Sequence, residues 1–194
     1  MIKLIKSFFL IVILFITTNC DQSSQGKTYS NKLVTVKVFS SLTCPHCANF
    51  HEKIFENLEK DFINKGLVRF EHKGFPLDLA ALNAEKILRC KTSSEINLQF
   101  LSEIYKKQNK WAIGSDIDII NDSIKKIGEN YGLTDSQMNK CLENKSLEDK
   151  ILNDRIDYQK KYKISSTPTI YVNEEKYEGK INYNAFKKII EKSL

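Results

Sequence analysis

Cys44-Pro45-His46-Cys47 is the stretch of this chain whose residue types and spacing most clearly allow chemistry. Two cysteines with two residues between them can close a small disulfide ring and exchange it with other thiols. An apolar strand-like run, Leu33 to Phe39, precedes them and a helix-like run, Ala48 to Asn64, follows, so Cys44 falls at a helix N-terminus. Unpaired backbone N–H groups and the positive end of the helix dipole favour an anion there. Cys44 is therefore expected to be a thiolate near neutral pH, and Cys47, about one turn on and more shielded, to be the resolving sulfur.

The two residues between them set the poise. Pro45 costs nothing in a first helical turn, where its missing N–H would be unpaired anyway. His46 can donate to the Cys44 sulfur or carry positive charge beside it. A stabilised thiolate makes the disulfide a stronger oxidant, over a range among such pairs of about 150 mV, roughly 7 kcal/mol. The motif reads as an oxidant.

Cys44-Pro45-His46-Cys47, followed by Ala48-Asn49-Phe50-His51 and answered by Thr167-Pro168-Thr169, resembles the DsbA-type branch of the thioredoxin superfamily, in its alphaproteobacterial variant. The likeness spans Leu33 to Leu194. It implies an α/β fold, a thioredoxin fold with an inserted helical domain, and an enzyme of dithiol-disulfide exchange that needs no cofactor. It also implies that Pro168 is cis and faces the cysteine pair, with Thr167 and Pro168 binding substrate. Unfolded exported proteins would be the substrates, and a quinone-linked membrane protein of the DsbB type the reoxidant.

The elements that must position these residues follow the same order. Leu33 to Phe39 and Leu67 to Glu71 read as buried strands, and Phe50, Ile54, Phe55, Leu58 and Phe62 recur at helical spacing between them, ended by Gly66. Strand, helix, strand with a right-handed crossover makes the strands parallel. After Pro76 come helical patterns at Leu77 to Cys90, Glu95 to Lys107, Ile117 to Tyr131 and Ser136 to Leu142, with Trp111 to Gly114 as a turn and Trp111 as a core anchor. Glu148 to Lys161 leads back to a strand after Pro168, a turn at Asn173 to Lys176, a return strand at Tyr177 to Gly179, and a last helix, Tyr183 to Ser193, capped by Asn182. The divisions are residues 1–19, 20–32, 33–76, 77–146 and 147–194: signal peptide, polar tether, first part of the fold, helical insertion, and second part.

Lys3 and Lys6 ahead of an apolar core, Phe8 to Ile16, too short to span a membrane, predict export to the periplasm. Cys20 follows that core where exported lipoproteins are lipidated, although Thr17-Thr18-Asn19 is a poor match to the usual preceding residues. Lipidation of Cys20 and plain cleavage stand as alternatives. Cys90 and Cys141 fall on apolar faces near helix ends, and an oxidising compartment favours pairing, buried free thiols being the other reading. The alphaproteobacterial resemblance implies a second, structural pair in the helical domain.

The net charge of +6 does not point to nucleic acid: only Arg69, Arg89 and Arg155 of the 30 basic residues are arginines, and the lysines mix with acids along helices. About 170 residues after the signal make one domain, predicted to be a monomer. The first strand offers Val36, Lys37 and Val38 where many family members bury an acid, so proton transfer to Cys47 is assigned to water or Glu71. A disulfide isomerase or reductase would use the same residues at a lower potential. A metal site built from Cys44, Cys47, His51 and His72 is a further rival, but it gives Pro168 no role, and no metal is predicted.

Overall fold

The computed structural model describes residues 33–91 and 96–194. The expected signal peptide (1–19), Cys20 and the tether (20–32) lie outside the described residues, as does Glu95, the expected start of the second inserted helix. Val34, Val36 and Val38 of β1 (Val34–Ser40) are fully buried, as the alternation predicts, and β1 lies at the centre of a sheet ordered β2-β1-β3-β4. β2 (Val68–Gly74) runs parallel to β1 with Val38 opposite His72, and β3 (Thr169–Val172) runs antiparallel to it with Val38 opposite Ile170.

The return strand differs from expectation. β4 is Glu175–Lys176, paired antiparallel with Val172 and Tyr171, and the turn is only Asn173 and Glu174, both at positive φ (47° and 69°). A two-residue hairpin turn of this hand matches the strand twist, so the chain pairs two residues sooner than the sequence pattern suggested.

Between β1 and β2 runs one helical rod, α1 (Pro45–Phe50), a π turn (His51–Phe55), α2 (Glu56–Leu58) and a second π turn (Glu59–Ile63). Its Phe50, Ile54, Phe55 and Leu58 are fully buried against the sheet, and Gly66, at φ 68°, ends it where only glycine is unstrained. The helices α3 (Leu79–Leu88), α4 (Leu98–Lys106), α5 (Gln108–Trp111), α6 (Ile117–Glu129) and α7 (Asp135–Glu143) follow β2, and α8 (Lys145–Tyr162) leads to β3. Asp78, Asn97, Asp116, Thr134 and Asn144 cap α3, α4, α6, α7 and α8 with side-chain oxygens. Trp111 closes the short helix α5 instead of opening a turn, and its indole N–H donates to the Ile104 carbonyl at 2.8 Å inside the core. The last helix, α9 (Tyr183–Ser193), is capped by Asn182 and returns Phe186 and Ile190 to the core.

The fold is thus a thioredoxin fold with a mixed sheet and a run of helices placed after its second strand. Cys90 and Cys141, at the ends of α3 and α7, are joined by a disulfide that closes a separation of 51 residues. Among the described residues no helix is long and apolar enough to cross a membrane.

Candidate active site

The loop Ser41-Leu42-Thr43 turns the chain from β1 into α1, and Cys44 is the N-cap of that helix. Its backbone carbonyl accepts the N–H groups of Cys47 (3.0 Å) and Ala48 (3.2 Å), which starts the helix with Pro45 in its first turn. Cys44 is 8% exposed and Cys47 fully buried, both as free thiols.

Hydrogen bonding outweighs burial at Cys44. The Cys47 thiol donating to its sulfur is the largest effect; burial opposes it, and the Thr167 hydroxyl and the backbone N–H groups of Cys47 and His46 add to it, bringing Cys44 down to about 5. Cys47 moves the other way: burial, then the Cys44 sulfur and its charge, push its thiol far up. At neutral pH the pair is one thiolate and one thiol sharing a proton. His46 is exposed and meets the sulfur through its backbone N–H, so the sequence reading, which gave the main effect to the helix and the imidazole, missed the contribution of Cys47.

Thr167, joined to Pro168 by a cis peptide bond, faces this pair. The Thr167 carbonyl lies 3.3 Å from the Cys44 sulfur, placed to accept from the thiol, while its hydroxyl donates to the thiolate. The structure therefore brings Cys44 to Thr167, and with it to Pro168, although 123 positions separate Cys44 from Thr167.

Two side chains that the sequence did not single out brace the loop. Gln108 of α5 donates to the carbonyls of Leu42 (2.8 Å) and Cys44 (3.1 Å), and the Tyr105 hydroxyl of α4 reaches the Ser41 carbonyl at 3.5 Å. Beside them a cleft of about 600 Å³ separates Pro45, Asn49 and Glu52 from Ser102 and Lys106. His51 is buried there, stacked on Tyr105 with ring centroids 4.1 Å apart, and burial and the His72 charge hold its pKa well below the usual range.

The buried acid comes from another element than the sequence suggested. Glu71 lies at the sheet edge, paired with Arg69 (3.1 Å) and Lys73 (3.0 Å), whereas the fully buried carboxylate is Glu85 of α3. It meets His72 at 2.5 Å and Arg89 at 3.1 Å, and the other His72 nitrogen lies 3.1 Å from the Ser40 hydroxyl at the end of β1. Burial pushes the Glu85 carboxyl up, but the His72 and Arg89 charges outweigh it and hold the group below the usual carboxylate range. Gly74 makes room for this cluster, since a Cβ there would stand 2.6 Å from the Glu85 carboxyl. Cys44, Cys47, His51 and His72 are not gathered into a metal-binding group, and the described residues hold no cluster of three or more such ligands.

The chain is similar to proteins already known. The chain is 29% identical over 170 residues to the Bacillus subtilis protein named disulfide bond formation protein D, covering 83% of this chain and 72% of that one. It is 27% identical over 164 residues to a Rickettsia bellii protein whose name assigns it provisionally as a protein-disulfide oxidoreductase, covering 84% of this chain. The chain spans only 61% of that relative's length. Among solved structures, Wolbachia pipientis alpha-DsbA1 superposes with a TM-score of 0.74 at 24% identity, over 84% of this chain and 86% of that one, a likeness of fold. Oxidised Bacillus subtilis BdbD superposes with a TM-score of 0.68 at 25% identity, over 82% and 86%. A family model described as Thioredoxin matches residues 21–192, and with the strand order, the cysteine pair and the cis proline in place the chain belongs to the thioredoxin family.

Proposed function

We propose that this protein is an exported thiol:disulfide oxidoreductase that introduces disulfide bonds into unfolded secreted proteins. The observation that carries the reading is the split pair, an acidic Cys44 beside a strongly basic Cys47, set against Thr167 and Pro168. A substrate thiolate attacks the Cys44 sulfur of the Cys44–Cys47 disulfide, and the bond between the two cysteines breaks. Cys47 leaves as a thiolate and takes up a proton, which its raised pKa makes favourable. A second substrate thiolate attacks the substrate sulfur of the mixed disulfide and expels Cys44, whose stability as a thiolate makes it the better leaving group. Two electrons have then passed to the protein, and the substrate holds a new disulfide.

The backbone of Thr167 is suited to pair with an extended substrate segment beside Cys44. A membrane reoxidant of the DsbB type would take the electrons on. The periplasm as the place of action, and anchoring through a lipidated Cys20, rest on the charge and apolar pattern of the first residues, and the protein is read as a monomer. Disulfide isomerase or reductase activity is the second reading, because the same split pair at a lower potential would serve it.

The test is the reduction potential of the pair, measured in glutathione buffers with a thiol-specific mass tag, together with oxidation of a reduced peptide. A potential near about −120 mV, that of a strong oxidant, supports the oxidase, and one near about −270 mV moves the reading to a reductase or isomerase. Oxidase activity surviving in Cys44→Ser would sink the mechanism.

A further inference from the structure

The carbonyls of the loop that delivers Cys44 are held from outside the thioredoxin fold. Gln108 is buried, and its side-chain amide gives one nitrogen to two acceptors, the Leu42 carbonyl at 2.8 Å and the Cys44 carbonyl at 3.1 Å. The Cys44 carbonyl is the same one that accepts the Cys47 and Ala48 N–H groups, so Gln108 completes the first turn of α1 from the side of the inserted helices. Tyr105, one turn earlier, reaches the third carbonyl, that of Ser41, at the longer distance of 3.5 Å.

We propose that Gln108 is a positioning residue for Cys44, through which the inserted helices set how readily the thiolate forms. The reason is electrostatic. A peptide carbonyl carries its negative end on oxygen, and a buried one without a donor turns toward whatever can satisfy it. Held by Gln108, the Leu42 and Cys44 carbonyls stay directed at the α4–α5 corner. The His46 and Cys47 N–H groups then remain aimed at the Cys44 sulfur. Without that amide the Leu42 carbonyl loses its donor and the Cys44 carbonyl keeps only the Cys47 and Ala48 N–H groups, so the loop ahead of α1 loosens and the N–H groups are held less firmly on the sulfur. The titratable groups around Cys44 are Cys47 and His46 on its own helix and Tyr105 on α4, and a change at Gln108 leaves all three in place. This inference rests on the reading of Cys44 as the attacking thiolate.

The experiment is a titration of thiolate absorbance at the ultraviolet edge in the reduced full chain, wild type against Gln108→Met, a change that keeps the length of the side chain and removes its donors. The midpoint is expected to rise by about one pH unit, tenfold in the thiolate equilibrium, as donors to the charged form are lost. A lowered melting temperature with an unmoved midpoint would mean that Gln108 only packs, and overturns the proposal. Should Gln108→Met not fold, Gln108→Asn, which keeps the amide but draws its donors back by one carbon, is expected to raise the midpoint in the same direction; an unchanged midpoint there overturns it equally. Tyr105→Phe, which removes only the longer contact, is expected to shift the midpoint less than Gln108→Met, and the reverse order would take the role from Gln108. A wild-type midpoint at the ordinary thiol value would overturn the oxidase reading itself, whereas an acidic wild type with an unmoved variant overturns only the role of Gln108.

Discussion

Cys47 donates its thiol proton toward the sulfur of Cys44, and this one hydrogen bond does more for the Cys44 thiolate than any other group around it. Under the proposed mechanism the resolving cysteine is therefore also the chief stabiliser of the attacking one. Replacing Cys47 with Ala removes the donor and should raise the Cys44 titration midpoint above about 5, while Cys47→Ser, which keeps a hydroxyl donor, should raise it less. Both variants should accumulate mixed disulfides, since neither can resolve them; a Cys47→Ala midpoint at or below the wild-type value would contradict the assignment.

The same acidity links redox state to stability. The folded pKa of Cys44, about 5, lies below its ordinary value of 9.0, so the unfolded reduced chain binds the proton more tightly. The resulting stabilisation of the reduced form is complete near pH 9, falls as pH drops toward 5, and is absent below that. Cys47 has the opposite shift and begins to cost stability only above its ordinary value, so it leaves this window untouched. Melting temperatures of reduced minus oxidised protein should rise with pH between those limits, and a flat difference would exclude a depressed Cys44.

Thr167 supplies a hydroxyl donor to the thiolate and a carbonyl near the same sulfur. Thr167→Val keeps the shape and the carbonyl but deletes the donor. The Cys44 midpoint should rise and the disulfide should become less oxidising, both readable in the same glutathione titration. An unchanged potential would assign the contact to packing alone.

The disulfide between Cys90 and Cys141 spans 51 residues, a loop whose closure contributes about 4 kcal/mol in the chain-entropy model. A Cys90→Ser, Cys141→Ser double variant should lose stability of that order in denaturant while keeping the α1 thiol pair. A loss of less than about 1 kcal/mol would mean that strain or residual structure cancels the entropic gain.

Glu85 is fully buried between His72 and Arg89. Removing one partner of such a cluster leaves uncompensated charge, so Glu85→Ala should cost about 3–5 kcal/mol. His72→Ala should be the milder of the two changes, because the buried carboxylate then keeps its ion pair with Arg89 at 3.1 Å. Urea unfolding of both variants tests the order.

The cysteine pair and most of the scaffold were legible because they are written in local patterns. Val34 to Phe39 alternates, Phe50 to Phe62 repeats at helical spacing, and Gly66 stops the rod, so strand, helix and motif could be placed from neighbours alone. What escaped depends on partners distant in the chain. Gln108 sits in the polar run Lys107-Gln108-Asn109-Lys110 and carries no signal of burial; its acceptors at Leu42 and Cys44 are known only from the fold. Glu85 did leave a trace, since it falls on the apolar stripe of Ala81, Leu82 and Leu88, where an acid calls for a partner. The π turns at His51–Phe55 and Glu59–Ile63 have no composition signature, and the early return at Glu175 turns on Asn173 and Glu174 accepting positive φ, which glutamate rarely does.

Gly74 and Glu85 share one small volume at the end of β2. Any side chain acquired at position 74 would meet the carboxyl group and the Arg89 guanidinium first, so those two side-chain ends would have to shift, and with them the ion pair they form. A substitution at position 74 is therefore felt first as a disturbance of the buried Glu85–Arg89 pair, at the next element of the chain.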